Sequence, residues 1–338
     1  MKILIISVNS EAARNAISAV NKVNKGVVMD INKMDNFNHM STIWAFNFGY
    51  WLSMISGVDL SWFNYSSSVD QYKSLGNFDF CIVLVNRGIK SFPNKDIFPI
   101  LKSKIKHKVM TICVNSAVRG PEDGLIHILG KRHNGSIKTT WGAMSPLLKS
   151  EKPNKITILV DHIYYGNQKS RIYKTDKTRE ILDSLVAYNK RLGDDKKIVI
   201  KQIGSGRVVE IKEGYKIDKF KQSRAMSYQK ICKHYNESHI FVVTHNECFG
   251  LSVIEAASAG ALIVTPSGYI KRDVINKLHH HVIPSTQQIS EMNWDEIISK
   301  IDPNKSSQMA NKSYSYKIAC NDIYRHFHKI IKQSNKIN

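Results

Sequence analysis

Residues 241–266, FVVTHNECFGLSVIEAASAGALIVTP, restrict the fold of this chain more than any other stretch. Phe241, Val242 and Val243 read as a buried strand that stops at Thr244. A short polar loop follows, and a helix runs from near Gly250 to Ala259. Gly260 suits the helix end, because glycine takes the left-handed conformation at little cost. A second buried strand, 262–265, ends at Pro266. Strand, helix and strand in such quick succession point to a layered α/β arrangement, with ligands at the carboxyl ends of the strands.

The rest of the chain keeps this rhythm. Residues 2–8, 58–65, 78–86 (FDFCIVLVN) and 109–114 (VMTICV) read as strands, and 40–57 and 94–104 as helices. In the first of these helices Ile43, Phe46, Tyr50 and Met54 recur at helical spacing. Continuous apolar strands alternating with helices predict a parallel sheet covered on both faces. The polar, proline-containing segment 150–155 reads as a linker. Beyond it come strands at 156–160, 197–203, 240–243 and 262–265, with helices at 175–191, 226–235, 250–260, 294–301 and 308–332. The expected architecture is α/β: two Rossmann-like domains, 1–150 and 151–338, consistent with a length of 338 residues.

Charge is the compositional anomaly, at +21. It implies a polyanionic partner, whether nucleic acid, an anionic membrane surface or a phosphorylated substrate. Codon bias that enriches Lys, Asn and Ile together explains it equally well. Three basic clusters stand out, at 102–108 (KSKIKHK), 131–133 and 169–179. Either they are solvated helix ends or they form an electrostatic track for an acceptor. The five cysteines are odd in number, scattered and without a CxxC pair, so reduced thiols in the cytoplasm are expected. The apolar start at 1–8 is too short for a secretory signal, and no run approaches the ~20 apolar residues of a membrane span. The triplet His279-His280-His281 reads as a surface turn, since adjacent residues do not converge on one ion. Aromatic residues 44–63, including Trp44, Trp51 and Trp62, read as core, with a stacking or membrane-facing surface as the alternative.

The chemistry lies around Gly250. Free N–H groups at a helix start favour phosphate, and glycine lets the backbone approach a ligand. Glu255, further along the helix, is placed to accept both hydroxyls of a ribose, and Glu247, ahead of it, to reach a sugar hydroxyl across the diphosphate. The bland alternative makes Glu247 a surface loop residue and Glu255 a solvated helix residue. No Gly-x4-Gly-Lys-Ser/Thr loop and no Gly-x-Gly-x-x-Gly after the first strand occur, which disfavours NTPase and NAD-dependent dehydrogenase readings.

Glu-x7-Glu, with Phe-Gly-Leu inside it and Glu-Ala-Ala-x-Ala-Gly closing it, resembles the donor site of retaining GT-B glycosyltransferases of the family-4 type. The close match is confined to 241–266; beyond that only the order of elements is similar. The resemblance implies that Glu247 contacts the transferred sugar, that the amides of Phe249, Gly250 and Leu251 meet sugar and diphosphate, and that Glu255 holds the ribose. It implies two domains facing across a cleft, with the last helix crossing back to the first. It also implies a UDP-, GDP- or ADP-sugar donor, retention of anomeric configuration, and no obligatory metal or other cofactor. The family's usual Arg at the end of the first strand of the second domain is absent, and His162 stands there as a nucleotide-binding candidate. Lys169 and Arg171 follow and are expected to supply the charge that steadies the diphosphate. Gly204, in Gly204-Ser205-Gly206, is either a point of close approach to the nucleotide or a plain turn. In the first domain, Asn9-Ser10-Glu11 replaces the family's Gly-Gly loop, and Asn115 replaces its His and is expected to bond the sugar.

Several functional readings stay open. One is glycosyl transfer to hydroxymethylated bases of duplex DNA, as phage-type enzymes perform. A second is transfer to a lipid-linked or envelope saccharide at an anionic membrane surface. A third is a degenerate nucleotide-binding module without catalysis.

Overall fold

The chain opens with β1 (Lys2–Ser7), α1 (Ser10–Ala16) and a short antiparallel pair, β2 (Ile17–Ala19) and β3 (Val27–Met29). It continues through α2 (Met40–Ser53), β4 (Asp59–Asn64), α3 (Val69–Lys73), β5 (Phe78–Leu84), α4 (Ile97–Lys104), β6 (Ile105–Cys113), β7 (Gly124–His127) and β8 (Ile137–Lys138). The computed structural model describes residues 1–19, 27–34, 40–66, 68–84, 96–113, 124–127, 137–139, 145–163, 177–205, 216–217, 227–246 and 250–337. These divide into two compact units. The first comprises Met1–Trp141, Ser227–Gln229 and Ser315–Asn338, and the second Gly142–Met226 and Lys230–Tyr314.

In the first unit the sheet order is β4-β1-β5-β6-β7-β8, with parallel pairing throughout. The apolar runs 3–6 and 80–84 are buried without interruption, as strands covered on both faces require. Leu4, Ile6, Cys81 and Val83 pack on one face with Tyr72, Ile97 and Leu101. The aromatic segment is core only in part: Trp44, Phe46 and Phe48 of α2 are buried, while Trp51, Trp62 and Phe63 are half-buried. Gly49 is obligatory there, because a Cβ would sit 1.9 Å from the Trp62 ring.

The second unit runs through β9 (Thr157–Ile163), α5 (Thr178–Arg191), β10 (Val199–Ser205), β11 (Lys216–Ile217), α6 (Tyr228–Glu237), β12 (Ile240–Val242), α7 (Leu251–Ser258), β13 (Leu262–Pro266), α8 (Arg272–Ile275), β14 (His280–Ile283), α9 (Trp294–Ser299) and α10 (Pro303–Ser313). Its parallel sheet has the order β11-β10-β9-β12-β13-β14. Ile158, Val160, Ile200, Val242 and Val264 pack on one face against Ile181, Leu185 and Trp294. The linker is stitched to the end of α6, where Lys149 N–H donates to Asn236 Oδ1 at 2.9 Å and Lys152 Nζ to the Tyr235 and Asn236 carbonyls at 3.1 and 3.2 Å.

The final helix, α11 (Tyr316–Ile337), belongs to the first unit. Tyr316 meets Phe48 edge-on at 5.3 Å, and Phe327 stacks on Phe80 with centroids 3.8 Å apart. Thr139 Oγ1 donates to Asp322 Oδ2 at 3.0 Å.

Three local expectations change. The helix expected at 308–332 is two helices, because Tyr314 and Ser315 are buried and Tyr314 takes an extended conformation (φ −136°). Asp302 and Pro303 begin the first of them, with Asp302 Oδ1 accepting from Lys305 N–H at 2.9 Å. β6 begins at Ile105, not at 109, because its first half pairs with β5 despite its lysines. The histidine triplet is not a turn: His280 and His281 open β14, which pairs with β13, and all three rings are half-buried. Their partners diverge: His279 with Ser306 Oγ, His280 with the Leu278 carbonyl and His281 with Lys300 Nζ. Cys81, Cys232 and Cys320 are buried free thiols. No helix of the described residues is long and apolar enough to cross a membrane.

Candidate functional site

The second sheet has one switch point. From β9 the chain moves outward through β10 and β11, then returns to place β12 on the other side of β9 and continues outward through β13 and β14. Ligands of open α/β sheets lie in the crevice outside the carboxyl ends of such a strand pair. Here those ends are Asp161–Ile163 of β9 and the segment after Val242. They are tied together: Thr244 Oγ1 donates to the Asp161 carbonyl, and the Lys177 N–H, at the start of α5, donates to the Thr244 carbonyl at 2.9 Å. Asp161, Thr244 and His245 are buried.

α7 starts from the same rim. Its cap, Gly250, has φ +67° and ψ +62°, a left-handed conformation that costs other residues about 1–2 kcal/mol. Ile254 N–H is bonded to the Gly250 carbonyl at 3.0 Å, so it lies past the first-turn amides of Leu251, Ser252 and Val253, which have no intrahelical partner. At the other end Gly260 (φ +92°) closes the helix, where a Cβ would lie 3.1 Å from Pro303 and 3.2 Å from Lys152 Cε.

Every residue of α7 from Val253 to Ser258 is buried. Glu255 is among them, only 8% exposed. This removes the solvated-helix reading of Glu255. A carboxylate costs far more to bury than the alanines around it and is kept there only among polar groups.

Gly204 lies in β10, not in a turn. The strand runs on to Ser205 because it pairs with the end of β9, and His162 and Gly204 are direct partners in that ladder. Two nucleotide-binding candidates thus stand side by side at the rim. Glu247, Phe249, Lys169, Arg171 and Asn115 lie outside the described residues. Sequence reasoning missed the hydroxyl and carbonyl pairing of Thr244 with Asp161, which no local pattern signals. It also missed a cavity of about 700 Å³ beyond the ends of β13 and β14, lined by Lys177, Glu180, Ser267 and Tyr269. A cavity of about 800 Å³ opens at the opposite ends of the strands, beside Thr157 and Val199, away from the crevice.

The start of α1 in the first unit differs from that of α7. Asn9 is left-handed (φ +56°), and Asn64 Oδ1 accepts from both Ser10 Oγ at 3.1 Å and Glu11 N–H at 3.0 Å. The start of α1 is therefore already occupied by a side chain of the protein itself.

No protein-family description matches the sequence, and no curated protein does. Solved structures do match. AviGT4, a glycosyltransferase involved in avilamycin A biosynthesis, superposes with a TM-score of 0.55 at 6% identity, covering 98% of each chain. HepE of Anabaena, in complex with UDP and glucose, gives 0.52 at 10% identity over 97% of this chain and all of that one. The fold is GT-B. A UDP-GlcNAc 2-epimerase from Neisseria meningitidis, bound to UDP-GlcNAc, gives 0.51 at 12% identity over 97% of this chain and 100% of its own. In GT-B terms the second unit is the Rossmann-like half that carries α7 and its buried glutamate.

Proposed function

We propose that the chain transfers a sugar from a nucleotide-sugar to an acceptor hydroxyl. The observation that carries this reading is Glu255, a buried carboxylate on the helix that starts from left-handed Gly250. The likeness to HepE with UDP and glucose, and to AviGT4, supports the same donor class. Glu255 holds the two ribose hydroxyls, and the first-turn amides of α7 with Phe249 and Gly250 meet the diphosphate. His162 and Gly204 border the nucleotide. Glu247 and Asn115 contact the transferred sugar, and Lys169 and Arg171 steady the leaving diphosphate.

Transfer proceeds with retention and without an obligatory metal. The acceptor oxygen attacks the anomeric carbon from the side on which the donor bond breaks, and the departing diphosphate oxygen takes the acceptor proton. The protein contributes positioning and charge stabilisation, so no side-chain nucleophile is required. The acceptor is a polyanion, with hydroxymethylated DNA bases as the leading class. These roles assign residues 1–150, with the last helix crossing back to them, to the acceptor and the rest of 151–338 to the donor, in the cytoplasm.

The test is a donor screen on the whole chain. UDP-, GDP- and ADP-sugars are added, thermal shift and slow donor hydrolysis are read, and the anomeric configuration of the product is determined by NMR. Stabilisation by none of these nucleotides sinks the proposal. The likeness to a UDP-GlcNAc 2-epimerase favours a second reading, in which the same site isomerises the sugar. A changed sugar released without any acceptor would select it.

A further inference from the structure

The first unit carries cations that the donor site does not use. Arg325, Lys329, Lys332 and Lys336 of α11 are all exposed and recur at steps of four, three and four residues. They therefore share one helix face, in a row about 16 Å long at 1.5 Å per residue. Lys106 and Lys108 stand on the first half of β6.

Aromatic packing fixes the two groups together. The Phe80 ring stacks on Phe327 of α11 at 3.8 Å and on His107 of β6 at 5.1 Å. The positive field is felt by the histidines between them. Burial, with the ammonium groups of Lys108 and Lys329, holds His326 below its ordinary value; burial and Lys106 do the same to His107. Among the described residues, the carboxylates of Asp322 and Asp79 beside these cations are engaged: Asp322 lies 3.8 Å from Arg325 and accepts from Thr139, and Asp79 accepts from Lys2 N–H at 2.7 Å.

Basic membrane-docking segments set apolar side chains beside their cations. Among the described residues the exposed large apolar side chains are Val28, Met54 and Ile318. None lies on β6 or on the C-terminal half of α11. A rigid row of cations without an apolar companion suits a phosphodiester backbone, which is bound by charge and counterion release.

We propose that the face formed by the start of β6 and the C-terminal half of α11 docks duplex nucleic acid through its phosphates. The proposal deepens the polyanion reading of the acceptor but uses no donor-site residue, so either can fail alone.

The test is fluorescence anisotropy of the full chain with a labelled random-sequence DNA duplex of about 20 base pairs. Binding is expected, weakening at least tenfold between about 50 and 200 mM salt. The triple variant K329E/K332E/K336E should bind at least tenfold more weakly, with a log–log salt slope smaller by about three. Its thermal shift with UDP should match that of the parent chain. K106Q/K108Q, on a different element, should also weaken duplex binding, so the result does not hang on the folding of α11. Duplex affinity unchanged in both variants overturns the proposal. So does binding confined to phosphatidylserine vesicles.

Discussion

Two helices, α7 and α11, carry charge in opposite ways. α7 is short, buried along nearly its whole length, and holds one glutamate among alanines and aliphatic residues. α11 is long and amphipathic, buries Ile323 and Phe327, and sends its cations outward. A solvated charge is cheap to keep and says little on its own. A buried one is costly and is kept only where polar groups match it. Burial separates chemistry from solubility more sharply than residue type does. It also explains why the α11 face gains meaning only from the clustering of its cations beside those of β6.

The largest effect is expected where α11 is anchored. Phe327→Ala removes a fully buried ring stacked on Phe80 and should lower stability by about 3–5 kcal/mol in urea unfolding. A loss below 1 kcal/mol would mean that α11 decorates the first unit and does not complete it. Next comes α7. Glu255→Ala should weaken nucleotide binding by roughly 10–100-fold, the worth of one or two hydrogen bonds to a charged group, measured by titration calorimetry with UDP. Intact binding together with a large loss of stability would return Glu255 to a purely structural role.

Gly250→Val forces a β-branched residue into the left-handed region at the start of α7 and should cost about 1–2 kcal/mol of stability. If denaturation midpoints do not move, the left-handed cap is not required. The smallest effect concerns a half-buried cation beyond the end of α7, Lys152. Burial pushes the Lys152 ammonium down to about 7, well below its unfolded value. Between those two values the unfolded chain holds a proton that the folded chain has released, so stability rises with pH from about 7 toward 10. The whole gain should be near 1 kcal/mol once the solvent around this half-buried side chain is discounted. Lys152→Met should abolish that slope. A slope that persists in the variant assigns it to another group.

Much of the fold was legible because its signals are local. The strand–helix–strand run around Gly250 needs only a few consecutive residues to declare itself, and Gly250 and Gly260 bracket the helix as glycines at its two ends. What misled was pairing across distance. Lys106 and Lys108 make the start of β6 look like a basic helix end until β5 supplies the partner strand. His280 and His281 look like a turn until β13 does the same. Tyr314 and Ser315 read as helix interior, and their burial against other elements breaks the chain there.

The candidate site divides along the same line. Composition and order marked Gly250, Leu251 and Glu255 as a group, because residues on one helix keep their spacing wherever the helix lies. That Glu255 is buried, that Thr244 bonds the Asp161 carbonyl, and that His162 and Gly204 are ladder partners depend on which strands became neighbours. By itself the sequence determined alternating elements and the chemistry each one carries, since propensity and periodicity act over a few residues. Only the tertiary structure decided which charges lost their water and which kept it, because solvation is a property of the packed whole.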